Sequence, residues 1–100
     1  MPNVVTTNPI VLVSALPSYR NAPGAGMQNT PFFVERVEWL SPVNIGDTFQ
    51  LTDANSNVVA VGVCEVALQS QIFPLRPRRL VKDIQLVQIS SGTLYVWLGN

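Results

Sequence analysis

The sequence predicts an all-β protein, a small antiparallel β-sandwich or barrel of about six to seven short strands. Two observations support this class. Short runs rich in valine, isoleucine and aromatic residues alternate with turn-forming proline, glycine, asparagine and aspartate. No segment makes a convincing helix. A length of 100 residues is enough for one domain with a modest core.

The chain is expected to begin with an extended arm over residues 1–9, followed by a single β domain over residues 10–100. Pro2 and Pro9 prevent a helix there, and the β-branched residues between them favour extended backbone. Such an arm would reach neighbouring subunits. Its deletion over residues 1–7 is then expected to weaken attachment and to leave the fold intact.

The remaining elements follow from runs of apolar residues and the breaks between them. Residues 17–31 hold three prolines and two glycines and are expected to form a long partner-contacting loop. Residues 69–79 are expected to be irregular, because Pro74 and Pro77 interrupt them. Strands are expected over 10–16, 32–40, 48–52, 58–68, 80–89 and 93–99.

Alternation assigns side chains to faces of these strands. Phe33, Val37 and Trp39 are expected to share a face of the strand over 32–40, and Val59, Val61 and Val63 a face of the strand over 58–68. The strand over 80–89 changes parity near Leu86 and Val87, which indicates a bulge or two-sided burial. In the last strand both faces are apolar: Leu94, Val96 and Leu98 on one, Tyr95 and Trp97 on the other.

Charge is scarce along the whole chain. Charged residues make up 12% of the sequence and the formal net charge is zero, whereas a soluble domain usually has about 25% charged residues. A weakly charged β protein is prone to associate through its strand edges. We therefore expect much of its apolar surface to be covered by partner subunits.

The sequence carries little equipment for catalysis or metal binding. It contains no histidine and a single cysteine, Cys64, so nucleophile–histidine systems and thiolate zinc sites are excluded. Cys64 is expected to be a buried filler. The run "DANSN", residues 53–57, has calcium-type ligands but lacks the later Gly and Glu, so we interpret it as a turn. We expect no enzyme activity and no cofactor.

The sequence predicts no association with a membrane. The N-terminal residues have neither the basic region nor the long apolar region of a signal peptide. No stretch approaches the roughly 18 apolar residues of a transmembrane helix.

The basic cluster "RPRR", residues 76–79, has two interpretations. It could neutralise phosphates with steep salt dependence, but no stacking aromatics accompany it and the chain is not basic overall. We favour arginine–carboxylate pairing across a subunit boundary. Together with apolar and aromatic residues of irregular segments, the predicted interface residues are Val4, Val5, Tyr19, Arg20, Phe73, Arg76, Arg78 and Arg79.

The stretch "VERVEWLSPVNIGDTFQLTDANSNVV", followed later by "SGTLYVWL", resembles small β-sandwich virion proteins of tailed bacteriophages. The likeness covers about two thirds of the chain, from Phe33 to Leu98, and consists of strand and turn features. Some proteins of this kind are capsid cement or decoration proteins, which cover the shell as trimers or dimers.

The resemblance implies a non-enzymatic structural role in the virion, after synthesis in the host cytoplasm. The expected partners are the major capsid protein and copies of the chain itself. The alternative is a phage tail or fibre component that binds a host receptor through loop aromatics such as Tyr19. A high copy number favours the first role and a low one the second.

Overall fold

The computed structural model describes residues 3–19 and 31–99, except for the side chains of Arg76 and Pro77. Within these residues the secondary structure consists of seven strands and no helix, which confirms the predicted all-β class. The strands are β1 (Ile10–Leu12), β2 (Phe32–Leu40), β3 (Thr48–Asp53), β4 (Val58–Val63), β5 (Gln71–Val81), β6 (Ile84–Ile89) and β7 (Thr93–Gly99).

The strands form two antiparallel sheets. One has the order β1-β7-β2-β5 and the other the order β4-β3-β6. Beside β6, Leu16 and Leu86 exchange two backbone hydrogen bonds of 3.0 and 2.9 Å, and Tyr19 donates to the carbonyl of Ile84. With this short eighth segment, the strand order is that of a jelly roll, in which the last strand lies next to the first.

Aromatic rings join the inner faces of the two sheets. Trp39 on β2 is fully buried and meets the ring of Phe49 on β3 edge-on at 4.9 Å. Phe49 in turn meets Phe73 on β5 at 5.4 Å, again edge-on. Leu94, Val96 and Leu98 of β7 share a face as predicted, and that face is the buried one. The two sheets therefore share one apolar core.

A bulge in β2 changes the predicted face of Phe33. The pairing of β2 with β7 shifts between Val34 and Arg36, where β7 advances by only one residue, so Glu35 is the extra residue in β2. Against β5 the shift at the same place leaves the extra residues in β5, between Pro74 and Arg79. The inward residues are consequently Phe32, Val34, Val37 and Trp39, and Phe33 lies on the outer face with partial exposure. Simple alternation was wrong at this position because it cannot continue through a bulge.

A second bulge separates the valines of β4. Thr52 pairs with Val58 but Leu51 pairs with Ala60, so Val59 is the extra residue. Val59 is buried, whereas Val61 and Val63 are exposed, and the prediction that these three share a face is wrong. Gly62 is buried instead, and a Cβ there would lie 2.6 Å from Phe49 Cε1. Gly62 therefore allows the ring of Phe49 to pack closely against the β4 backbone.

Strand β5 was not predicted from the sequence. Residues 71–81 form an 11-residue strand that pairs only with β2, at the edge of its sheet. An edge strand tolerates proline because one side of it needs no hydrogen-bond donors. The strand expected over 80–89 is therefore two strands, β5 and β6. The change of parity in β6 is confirmed, since Val87 is an extra residue in its pairing with β3.

The N-terminal segment folds back on its own domain. Val4 and Val11 exchange two backbone hydrogen bonds of 2.8 Å, and Val5 is buried. The side chain of Asn3 accepts hydrogen bonds from the backbone N–H groups of Val13 and Ser14. These contacts replace the expected extended arm over residues 3–9. They also engage residues 13 and 14, so β1 ends at Leu12 and not at residue 16.

Candidate interaction surface

Exposed aliphatic side chains collect at one end of the sandwich. Among the described residues, ten large apolar side chains are exposed, and seven of them belong to the segments 43–45 and 61–72, with exposed fractions of 50–73%. We call these seven residues the apolar rim: Val43, Ile45, Val61, Val63, Val66, Leu68 and Ile72. Val61 and Val63 project from the outer side of β4, whereas Ile72 projects from the outer side of the other sheet, beside Glu38, so the rim surrounds this end of the sandwich. Exposed apolar surface on a soluble protein often marks an interaction site.

Backbone hydrogen bonds join the two loops that carry the rim. The N–H of Gly46 donates to the carbonyl of Cys64 at 2.8 Å, and the N–H of Cys64 donates to the carbonyl of Asp47 at 2.7 Å. The N–H of Leu68 donates to the carbonyl of Pro42 at 2.7 Å. Cys64 itself is buried, as predicted. The rim therefore belongs to a single hydrogen-bonded structure.

The turn between β6 and β7 ties the rim to the core. Ser91 donates its hydroxyl to the carboxylate of Asp47 and accepts the N–H of Val43 at 2.8 Å. The indole N–H of Trp39 donates to the carbonyl of Ser91 at 3.0 Å. A core residue thus helps to hold the exposed end in place.

Leu68 has an unusual backbone conformation. Its φ angle is 64°, in the left-handed region that residues with a branched side chain rarely adopt, and its side chain is 65% exposed. A bulky residue held in this region costs roughly 1–3 kcal/mol, and such strain is common at functional sites. The chain thus holds an apolar side chain in water at an energetic cost.

The rim lies in the part of the sequence that lacks cations. No lysine or arginine occurs between Arg36 and Arg76. Of the acidic residues at this end, Asp47 accepts hydrogen bonds from Ser91 and Asn44, and Glu65 is exposed. The rim is therefore apolar and weakly acidic.

The described arginines of the basic cluster pair within the chain. Arg78 contacts Glu35 at 3.3 Å and lies over the ring of Phe33 at 4.2 Å. Arg79 contacts Asp53 at 3.3 Å and donates to the carbonyl of Val58 at 3.2 Å. Both guanidinium groups thus have carboxylate partners in their own subunit. The side chain of Arg76 is outside the described part of the chain.

The other predicted interface residues do not contribute to the rim. Tyr19 was expected to anchor an interface, but it is only 2% exposed and meets Phe32 edge-on at 5.3 Å. Val5 is buried, and Val4 and Phe73 are partly buried, the latter against the core. Arg20 lies outside the described residues. The rim was missed because the exposure of Val61 and Val63 depends on the bulge at Val59.

The "DANSN" segment forms the predicted turn at the opposite end. Asp53 accepts hydrogen bonds from the backbone N–H groups of Asn55 and Asn57 at 2.9 and 3.0 Å. Burial acts to raise the pKa of Asp53, but these bonds, the Asn57 side chain and Arg79 together lower it below its ordinary value of 3.8. The carboxylate therefore stabilises the folded state when it is ionised.

We expect Asp53→Asn to lose this pH-dependent contribution. Because the folded-state pKa lies below the unfolded value of about 3.9, the contribution is present above that pH and is lost as pH falls through the folded-state pKa. Urea unfolding at neutral pH and at about pH 3 should give a smaller difference between wild type and variant at the acidic pH. An equal difference at both pH values would contradict this role.

Residues 3–19 and 31–99 contain no group of three or more histidine, cysteine, aspartate or glutamate residues placed to hold a metal ion. No helix capable of crossing a membrane occurs in the same residues. In comparisons with protein-family models, curated proteins and solved structures, nothing matched the chain.

Proposed function

We propose that the protein is a non-enzymatic virion structural protein, a capsid cement protein that stabilises a phage shell. The observation that carries the proposal is the apolar rim, which offers seven exposed aliphatic side chains on one hydrogen-bonded end of the sandwich. The sequence resemblance to small virion proteins supplies the setting. The rim supplies the surface that docks on the major capsid protein.

Two properties of the rim support docking on a large partner. Burial of exposed aliphatic surface provides a driving force of roughly 25 cal/mol per Å². The loops are already joined by backbone bonds, so little conformational entropy is lost on binding. The jelly-roll order is compatible with this role, but the same fold also occurs in lectins, so the fold alone does not decide the function.

The receptor-binding alternative has less support. It relied on exposed loop aromatics such as Tyr19, and Tyr19 is buried in the core. A tail or fibre component would also be present in few copies per particle. Copy number therefore separates the two proposals directly.

The first test is quantification of the chain against the major shell protein in purified particles of the phage that encodes it. A cement role requires comparable copy numbers. A handful of copies would support the tail or receptor role, and absence from the particles would reject a virion role.

The second test places a charge in the rim. Ile45→Lys should weaken binding to particles stripped of this protein by more than about tenfold, because the lysine would be desolvated in the interface. Val87→Lys is the matched control, since Val87 is a 52% exposed strand valine outside the rim. Equal binding by the two variants would argue against the rim as the docking surface.

A further inference from the structure

The outer face of the four-stranded sheet carries a second group of residues with interface chemistry. In the register of β2 and β7, Arg36 lies opposite Trp97, Glu38 opposite Tyr95, and Phe33 opposite Gly99. These side chains point away from the core, because their neighbours along each strand are buried. We call this surface the aromatic face: Phe33, Glu35, Arg36, Glu38, Arg78, Tyr95 and Trp97.

The aromatic face is organised by contacts within the chain. The guanidinium of Arg36 lies 4.3 Å from the ring centre of Trp97 and 3.3 Å from Glu38 Oε1. The indole N–H of Trp97 donates to the same carboxylate oxygen. Arg78 bridges Phe33 and Glu35 in the same manner. The side chains are thus held in place before any partner arrives.

The composition of the face matches that of protein interfaces, in which tryptophan, tyrosine, phenylalanine and arginine are enriched. Strand β7 is apolar on both faces. The other sheet covers its inner face, but no strand of the described residues lies over the outer face. The half-buried rings of Tyr95 and Trp97 therefore remain available to a partner.

The charges identify the partner as a second copy of the chain. A twofold interface brings the same patch together with itself. The aromatic face holds two cations, Arg36 and Arg78, and two acids, Glu35 and Glu38, so opposite charges can meet across the axis. The rim lacks this property, because no lysine or arginine lies near Glu65 in the sequence. Two rims brought together would therefore offer Glu65 of either copy no opposite charge from this segment.

We propose that two copies of the chain pack against each other through the aromatic face. The contact stacks two four-stranded sheets, as sheets stack within a sandwich at a spacing of about 10 Å. This inference adds a self-association surface to the proposed function. It does not require the shell-binding role, because the two proposals rest on different side chains, and the surfaces meet where Ile72 of the rim pairs with Glu38 of the face.

The test is sedimentation velocity of the full chain over a wide concentration range, with charge reversals on the face. Each variant changes the net charge of the face by two units. Glu35→Arg makes the face positive, and Arg78→Glu makes it negative. Each variant alone should dimerise at least about tenfold more weakly than wild type. An equimolar mixture should recover dimers, because a positive face then meets a negative one.

Two controls separate the face from general effects. Lys82→Glu makes the same charge change as Arg78→Glu on an exposed residue beyond the end of β5, and it should dimerise as wild type does. The double variant Glu35→Arg/Arg78→Glu restores a neutral face and should regain dimerisation. Circular dichroism establishes whether each variant is folded. If a single variant does not fold, the dimerisation of the double variant is measured in its place.

Three results would overturn the proposal: a monomeric wild type at every concentration, equal weakening by Arg78→Glu and Lys82→Glu, or a mixture that stays monomeric. The rim variant Ile45→Lys should still dimerise. A wild-type chain that dimerises but does not bind the shell would reject the shell-binding proposal alone, and one that binds the shell but stays monomeric would reject the dimer proposal alone.

Discussion

Replacing Trp39 with alanine is expected to lower the free energy of unfolding by about 3–5 kcal/mol. Trp39 has no exposed surface, and its ring fills the space against Phe49 between the two sheets. The variant also loses the indole N–H bond to the carbonyl of Ser91, worth roughly 1 kcal/mol. Since a small domain is stable by only about 5–15 kcal/mol, urea unfolding should show a large fall or no folded state.

The second tryptophan is a matched control for this prediction. Trp97 lies on the outer face, where its ring is only partly buried, and Trp97→Ala should cost roughly 1–2 kcal/mol in the monomer. Trp39→Phe should lie between the two, because it keeps an aromatic ring and loses the N–H donor. A cost for Trp97→Ala equal to that of Trp39→Ala would show that inner and outer faces have been assigned incorrectly.

Deletion of residues 1–7 is expected to destabilise the fold by about 2–4 kcal/mol. The deletion removes the buried side chain of Val5 and the two backbone bonds between Val4 and Val11. It also removes the Asn3 side chain that accepts the N–H groups of Val13 and Ser14. The structure thus changes the expectation for a free arm, whose loss would leave the fold intact.

Two point variants apportion the effect of the deletion. Val5→Ala tests the apolar contribution and Asn3→Ala tests the hydrogen bonds, each with an expected cost of about 1–2 kcal/mol. Denaturant midpoints measured at one pH compare all three proteins. An unchanged midpoint for the deletion would mean that the segment does not pack on its own domain in solution.

The sequence was informative where alternation is unbroken. Strand β7 keeps one period, and Leu94, Val96 and Leu98 share a face as expected. Faces were assigned wrongly in β2 and β4, because Glu35 is a bulge residue against β7 and Val59 against β3, and the side chains beyond each bulge change side. Strand β5 was missed because its prolines are tolerated only by virtue of its edge position, which is a property of the whole sheet.

The candidate surfaces depended still more on tertiary structure. No local sequence pattern predicts that Arg78 forms an ion pair with Glu35, or that Arg79 forms one with Asp53 on the other sheet. The rim requires two loops to meet, and their hydrogen bonds link residues about twenty positions apart, such as Gly46 and Cys64. The shortage of charge leads to a hypothesis of association, but it does not identify which residues are exposed.

The position of β7 between β1 and β2 has a consequence for how the protein is made. Ile10 pairs with Val96 and Trp39 pairs with Leu94, so the four-stranded sheet cannot close until β7 has left the ribosome. The hairpin of β3 and β4 has no such dependence and can form earlier during translation. While β7 is still in the exit tunnel, the backbone edges of β1 and β2 that pair with it have no partner, and the core lacks its buried side chains. The chain thus completes its core only after nearly all of its residues have been synthesised.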